Sequence, residues 1–169
     1  MNNIGIRLEI EELIRIETDL DDDELEHRLL YAHPDVIQDL SEILNEVRPL
    51  KSNARNTSSG RQTPKEQLDD IFHQFISGQK MSTYPKAHIM RPEECAVWEL
   101  KSDDIRVFGW FWKKGTFIIS DIVSAKKAKA CKLYDHYRDR AVALRQSLKL
   151  AEPKYVTAVS YTHLTLPTI

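Results

Sequence analysis

The chain has 169 residues, 24 of them Lys or Arg and 26 Asp or Glu, and 41% of its residues are hydrophobic. That length suits one domain, or a small domain with an appended element, and is enough to bury a core without covalent staples. No apolar run is long enough to span a bilayer. The net charge of −2 hides an asymmetry: residues 1–50 carry 14 acidic and 4 basic side chains, and residues 51–158 carry 12 and 20. A basic half favours an anionic partner such as RNA, the plainer alternative being a solvated lysine-rich surface.

Near the start, Ile4, Ile6, Leu8 and Ile10 alternate with Gly5, Arg7 and Glu9 at a strand period, whereas Leu13, Ile14 and Ile16 suit a helix. The opening segment stays open between the two. No basic leader precedes an apolar stretch in residues 1–10, so the expected location is cytoplasmic. From residue 21 to 47, Leu25, Leu29, Val36, Leu40, Ile43, Leu44 and Val47 recur at three- and four-residue steps, which predicts helix. His33-Pro34 divides it into two, because the residue before proline leaves the helical region. The run Asp21-Asp22-Asp23-Glu24 sits where a helix start favours negative charge. Residues 1–50 thus read as an acidic helical extension, able in one reading to cover a basic sheet in cis. Residues 51–62 read as a flexible linker with almost nothing to bury.

Thr63 then caps a helix, with Pro64 at its first position, Glu66 completing a capping box and Gly78 ending it. Leu68, Ile71, Phe72, Phe75 and Ile76 form its apolar face. Short β-rich runs follow, at residues 88–90, 96–101, 105–112 and 116–123, joined by the polar turns 102–104 and 113–115, and they predict an antiparallel meander. On the long middle run Ile105, Val107, Gly109 and Phe111 share one face, while Arg106, Phe108, Trp110 and Trp112 share the other. Residues 132–148 predict a last helix, with Leu133, Tyr137, Ala141, Leu144 and Leu148 on one stripe. Residues 159–169, beginning Val159-Ser160-Tyr161-Thr162-His163, look like a sequencing adapter read through in frame. They are expected to be a non-native tail, so Tyr161 and His163 receive no function.

No phosphate loop, nucleophile elbow or HExxH occurs, and the histidines have no ligand spacing. Cys95 and Cys131 lack CxxC spacing, which argues for two reduced thiols rather than a zinc site or disulfide framework. The expectation is no metal and no cofactor. The informative set is basic and aromatic: Lys101 at the end of one strand, Arg106 on the next, Lys126 and Lys127 after the last, and Tyr134 opening the final helix. Cleaving RNA without a metal requires taking a proton from the 2′-hydroxyl, neutralising the phosphorane and protonating the 5′-oxygen. Arginine matches phosphate oxygens, Lys, His or Tyr moves protons, and aromatics stack on unpaired bases. The plainer alternatives are an ion pair of Arg106 with Asp103 or Asp104, core packing for Tyr134, a sheet-edge role for His88, and a solvated helix lead-in for Lys126 and Lys127.

The stretch Trp98-Glu99-Leu100-Lys101-Ser102-Asp103-Asp104-Ile105-Arg106-Val107-Phe108, continued by Phe117-Ile118-Ile119, Val123, Lys126-Lys127 and Leu133-Tyr134, resembles the RelE/HigB family of bacterial toxins. The resemblance implies an α+β fold for residues 63–158, a small antiparallel sheet of three to four strands packed on helices. It also implies a toxin-like endoribonuclease that cuts mRNA, in some members on the ribosome, and is neutralised by an antitoxin protein. Arg106 resembles the strand arginine that stabilises the transition state, Lys126 or Lys127 the basic residue after the last strand, Tyr134 the tyrosine near the cleaved phosphate, and Lys101 a basic residue at the hairpin turn. His88 joins them as a proton-transfer candidate. Where some members carry catalytic lysines before the turn, this chain has Val97 and Glu99. That departure favours the alternative of a non-catalytic protein- or nucleic-acid-binding domain on the same fold.

Overall fold

A computed structural model describes residues 13–46, 62–83, 85–130 and 132–157. The strand-like start at Ile4–Ile10, nearly all of the linker, Cys131 and the adapter-like tail lie outside the described residues. The strands are β1 (Ile14–Ile16), β2 (Leu29–Ala32), β3 (Lys86–Ile89), β4 (Trp98–Lys101), β5 (Ile105–Lys113) and β6 (Thr116–Ser124). The helices are α1 (Pro34–Glu46), α2 (Pro64–Ile76), α3 (Ala125–Ala130) and α4 (Tyr134–Ser147), with a 3-10 turn at Glu93–Cys95.

The fold is α+β, but its sheet is larger than the three or four strands expected: six, in the order β1-β2-β6-β5-β4-β3. The meander β3 to β6 is antiparallel throughout, as its alternation and turns predict. The added strands come from the acidic N-terminal third. β2 lies parallel to β6, and β1 closes that edge antiparallel to β2. Residues 21–33 therefore do not form the helix that their periodicity predicts. Leu30 and Ala32 turn to one face of the sheet and Tyr31 to the other, all three buried, because a strand enclosed on both faces is apolar at every position. Pro34 starts α1 rather than separating two helices, in keeping with its place at a first helical position.

Both faces of the sheet are covered. On one, α1 and α2 pack against Leu30, Ala32, Ile89, Trp98, Leu100, Val107, Phe111 and Phe117. On the other, α4 and residues 148–157 cover Phe108, Trp110, Trp112, Ile118 and Val123. The indoles of Trp110 and Trp112 donate to the backbone carbonyls of Lys154 and Ala151 at 3.1 and 3.0 Å, which ties the C-terminal segment down. α1 packs on the same side of the sheet as α2, opposite the face that carries Arg106. The acidic loop before β2 is tethered to α2 through Glu24 and His73 at 2.7 Å.

The end of α2 is sealed by the N-terminal third. Its N-terminus carries the expected capping box of Thr63 and Glu66. At its C-terminus Arg28, fully buried, donates to the carbonyls of Phe75, Gly78 and Gln79 at 3.1–3.3 Å, so its cation meets the negative end of the helix dipole. Burial pushes its pKa down to about 10.

Gly109 marks an irregularity on the face that carries Asp121. Phe108 pairs with Asp121 but Gly109 pairs with Ile119, leaving Ser120 as an extra residue on β6. The Ser120 hydroxyl donates to the Phe108 carbonyl at 3.1 Å, and the bulge turns Asp121 toward α4. A Cβ on Gly109 would stand 2.0 Å from the carbonyl oxygen of Ile118, a backbone atom that cannot swing away. Gly109→Ala is expected to cost about 3 kcal/mol, seen as a fall of roughly 6–12 °C in melting temperature. A melting temperature within 2 °C of wild type, as an estimate of measurement scatter, would show that the bulge yields freely (~2 °C corresponds to under 1 kcal/mol).

Candidate functional site

Strand register brings His88, Lys101 and Arg106 to one face, and the start of α4 adds Tyr134, so four of the six sequence-predicted residues come together. His88 stands opposite Glu99, Glu99 opposite Phe108, and Phe108 opposite Asp121, in one row across four strands. The next row is Lys86, Lys101, Arg106 and Val123. The alternate residues Ala87, Ile89, Leu100, Ile105 and Val107 are buried against α1 and α2, so both rows point to the α4 side. There Tyr134, the first residue of α4, sets its ring edge-on to Phe108 at 6.0 Å, and Tyr137 stacks on Phe108 at 5.0 Å.

Within this corner the contacts form a line. His88 Nδ1 lies 3.9 Å from Glu99 Oε2, and Glu99 Oε1 lies 3.0 Å from Arg106 Nε. Arg106 Nε donates to the Tyr134 hydroxyl at 3.4 Å, and its Nη1 donates to the carbonyls of Ser102 and, at 2.9 Å, Ile105. Glu99 Oε1 has no aligned donor despite the 3.0 Å approach, so charge rather than a directed hydrogen bond holds the pair. The His88 side chain is 46% exposed, while those of Glu99 and Arg106 are 6% and 4% exposed. The imidazole therefore faces solvent with a buried carboxylate behind it, and the guanidinium faces inward.

Arg106 thus has an acidic partner, but it is Glu99 rather than Asp103 or Asp104. Its guanidinium meets a carboxylate, two carbonyls and a phenol, which places it behind the site and not on its surface. Gln67 of α2 fixes the turn on which this depends. It receives the Ser102 hydroxyl and the Asp104 N–H at 2.8 Å each, and donates to the Asp104 carboxylate at 2.7 Å. Glu99, Lys86 and Gln67 are the site residues that the sequence reading did not assign. Strand alternation alone signals Lys86, whereas nothing in sequence links Gln67 to a turn 35 residues away.

Lys126 and Lys127 are exposed on α3, and among the described residues no contact links either to Arg106. Lys127 belongs to a separate groove on the β6 side of α4, of about 300 Å³, with Glu42, Asp121, Ser124, His136 and Arg140. It opens where β2 stops, at the pair Ala32 and Ile119, while β6 runs on to Ser124. Asp121 on its floor pairs with Arg140 at 3.2 Å. Burial pushes the Asp121 carboxyl above its usual range, against the opposing pull of Arg140, His136 and His33.

Among the described residues no group of three or more His, Cys, Asp or Glu is placed to hold a metal ion, and no helix is long and apolar enough to cross a membrane. Cys95 is a free thiol. No family model, curated protein or solved structure matches the chain.

Two stability outcomes follow from these charges. Arg106→Met and Glu99→Leu each strand a buried ion and are expected to cost about 3–5 kcal/mol, whereas the double variant costs much less than the sum. Additive losses in chemical denaturation would mean that the two groups are not coupled. For Asp121 the raised folded-state pKa means that the folded chain keeps its proton to a higher pH than the unfolded chain. The associated stability is present at low pH and is lost as pH rises through the folded-state value. Asp121→Asn is therefore expected to melt higher than wild type at pH 7 and level with it near pH 3, and Arg140→Ala to melt lower at pH 7. A less stable Asp121→Asn protein at pH 7 contradicts the dominance of burial.

Proposed function

We propose that the protein is a toxin-like endoribonuclease that cleaves RNA without a metal, neutralised by a separate antitoxin protein. The observation that carries this reading is the line His88–Glu99–Arg106–Tyr134: an exposed imidazole, a carboxylate 3.9 Å behind it, a buried cation and a phenol in succession. A base held by a third group is the arrangement that proton abstraction from a hydroxyl requires. The RelE/HigB resemblance of the 97–134 stretch adds to it.

The roles differ from those that the resemblance implies. Glu99 faces His88 Nδ1, so Nε2 is the nitrogen that takes the 2′-hydroxyl proton. The 2′-oxygen bonds to phosphorus as the P–O5′ bond breaks, and the Tyr134 hydroxyl gives its proton to the departing 5′-oxygen. The products are a 2′,3′-cyclic phosphate and a 5′-hydroxyl. Arg106 stabilises the Tyr134 phenolate and holds Glu99, while the Lys101 ammonium neutralises the phosphorane. Lys126 and Lys127 take no part in the bond-making step.

The alternative is a binding domain without turnover, and one observation favours it: the Arg106 guanidinium is sequestered by Glu99. A cleavage assay on end-labelled RNA, with and without ribosomes and in the presence of EDTA, separates the two. The nuclease reading expects cyclic-phosphate ends, with cleavage reduced about 10²–10⁴-fold in His88→Ala. RNA left intact in both conditions establishes the binding alternative.

A further inference from the structure

The corner holds a second feature that cleavage chemistry does not use in full. Lys86 and Lys101 are directly opposite each other on neighbouring antiparallel strands, on the same face. Like charges in that position are mutually destabilising. Neither lysine is relieved by a carboxylate, since among the described residues no ion pair involves either of them. Arg106, the third cation of the row, is cancelled by Glu99. The unbalanced positive charge of this corner therefore resides on two amines, Lys86 exposed on the edge strand and Lys101 half-buried beside it.

Geometry narrows what would satisfy them. The lysine row is two residues along the strands from the His88–Glu99 row, about 7 Å, within reach of a lysine side chain. The strip spans β3 to β5, about 10 Å across two strand spacings, with the edge of the sheet on one side and Tyr134 on the other. That width fits the backbone of one polynucleotide strand rather than a duplex. The aromatic residues of this face, Phe108, Trp110 and Trp112, are buried under α4 and residues 148–157 and are not available to stack on bases.

We propose that Lys86 and Lys101 form a clamp for backbone phosphates of a single RNA strand, gripping it beside His88 and reading no bases. The proposal rests on the cleavage reading for its choice of RNA, and its test is made separable from that reading. Binding is measured with single-stranded 2′-deoxy oligomers, which lack the attacking hydroxyl, and with matching RNA. Each lysine that neutralises a phosphate contributes about −0.7 to the slope of log affinity against log salt. The two together should account for about a sevenfold loss of affinity between roughly 50 and 200 mM salt.

Lys86→Gln and Lys101→Gln are each expected to flatten the slope by about 0.7, and the double variant by about 1.4. Lys65→Gln, on the exposed side of α2, serves as the control that leaves it unchanged. Poly-U and poly-A of equal length should bind within about threefold of each other, since phosphate contacts carry no sequence information. Slopes that do not move in folded variants overturn the clamp, and so does a tenfold preference for one base. Failure of any oligomer to bind at about 50 mM salt also overturns it and reassigns the strip to an acidic protein surface. If the clamp behaves as expected but RNA is never cut, the cleavage reading alone fails. If RNA is cut while the slopes stay unchanged, the clamp alone fails.

Discussion

The ion pair of Glu99 with Arg106 is the constraint around which this face is arranged. Two charges withdrawn from water cost several kcal/mol each, and mutual attraction alone seldom restores that. Here the remaining groups are engaged as well: the guanidinium reaches two carbonyls at the β4–β5 turn and the Tyr134 phenol. One charged pair thereby joins two strands, a hairpin turn and the start of α4. Gln67 secures the same turn from the opposite side of the sheet, so the two helical layers meet through it. The consequence for chemistry is that Arg106 is committed to structure. A phosphate could draw it outward only by stripping its carbonyl partners and leaving Glu99 alone.

Much of this architecture could be read from residues in order. The capping box at Thr63 and Glu66, and the strands between Trp98 and Ser124, follow from local rules: turn chemistry and two-residue alternation. The stripe of Tyr137, Ala141 and Leu148 likewise gave the packed side of α4 correctly. β2 was hidden for a physical reason. Leu29-Leu30-Tyr31-Ala32 has no alternation, because the strand is enclosed on both faces, and its spacing from Leu25 and Val36 imitates a helix. Pairing between β2 and β6, nearly ninety positions apart in sequence, leaves no local trace.

The candidate site was legible in its members and not in their roles. Register on three successive strands determines that His88, Lys101 and Arg106 share a face, whereas alternation within one strand places Arg106 only relative to its own neighbours. Alternation cannot tell which side chains a later element will cover. The cover of the face of Arg106, Phe108, Trp110 and Trp112, α4 with residues 148–157, comes from the far end of the chain and leaves no trace in the strand itself. Glu99 illustrates the same gap. Considered alone it is a carboxylate that would repel phosphate. Placed diagonally to Arg106 it becomes the counter-charge that allows an arginine to be buried.

Covering the sheet on both sides has a further effect on what the molecule can do. With the indoles buried, two clusters of polar side chains flank α4. One is the corner of His88, Lys86, Lys101 and Tyr134. The other is the groove of Asp121, Lys127, His136 and Arg140, which opens where β2 ends opposite Ile119, two residues before Asp121 and five before Ser124 on β6. The flanks differ in kind. In the groove, acid and base are mixed and Asp121 is already paired, so its charges largely satisfy one another. In the corner, the acid is spent on a buried partner and the amines are not. Sequestering Arg106 beneath the surface thus does more than stabilise a hairpin: it neutralises Glu99 and leaves that carboxylate 3.9 Å behind an exposed imidazole.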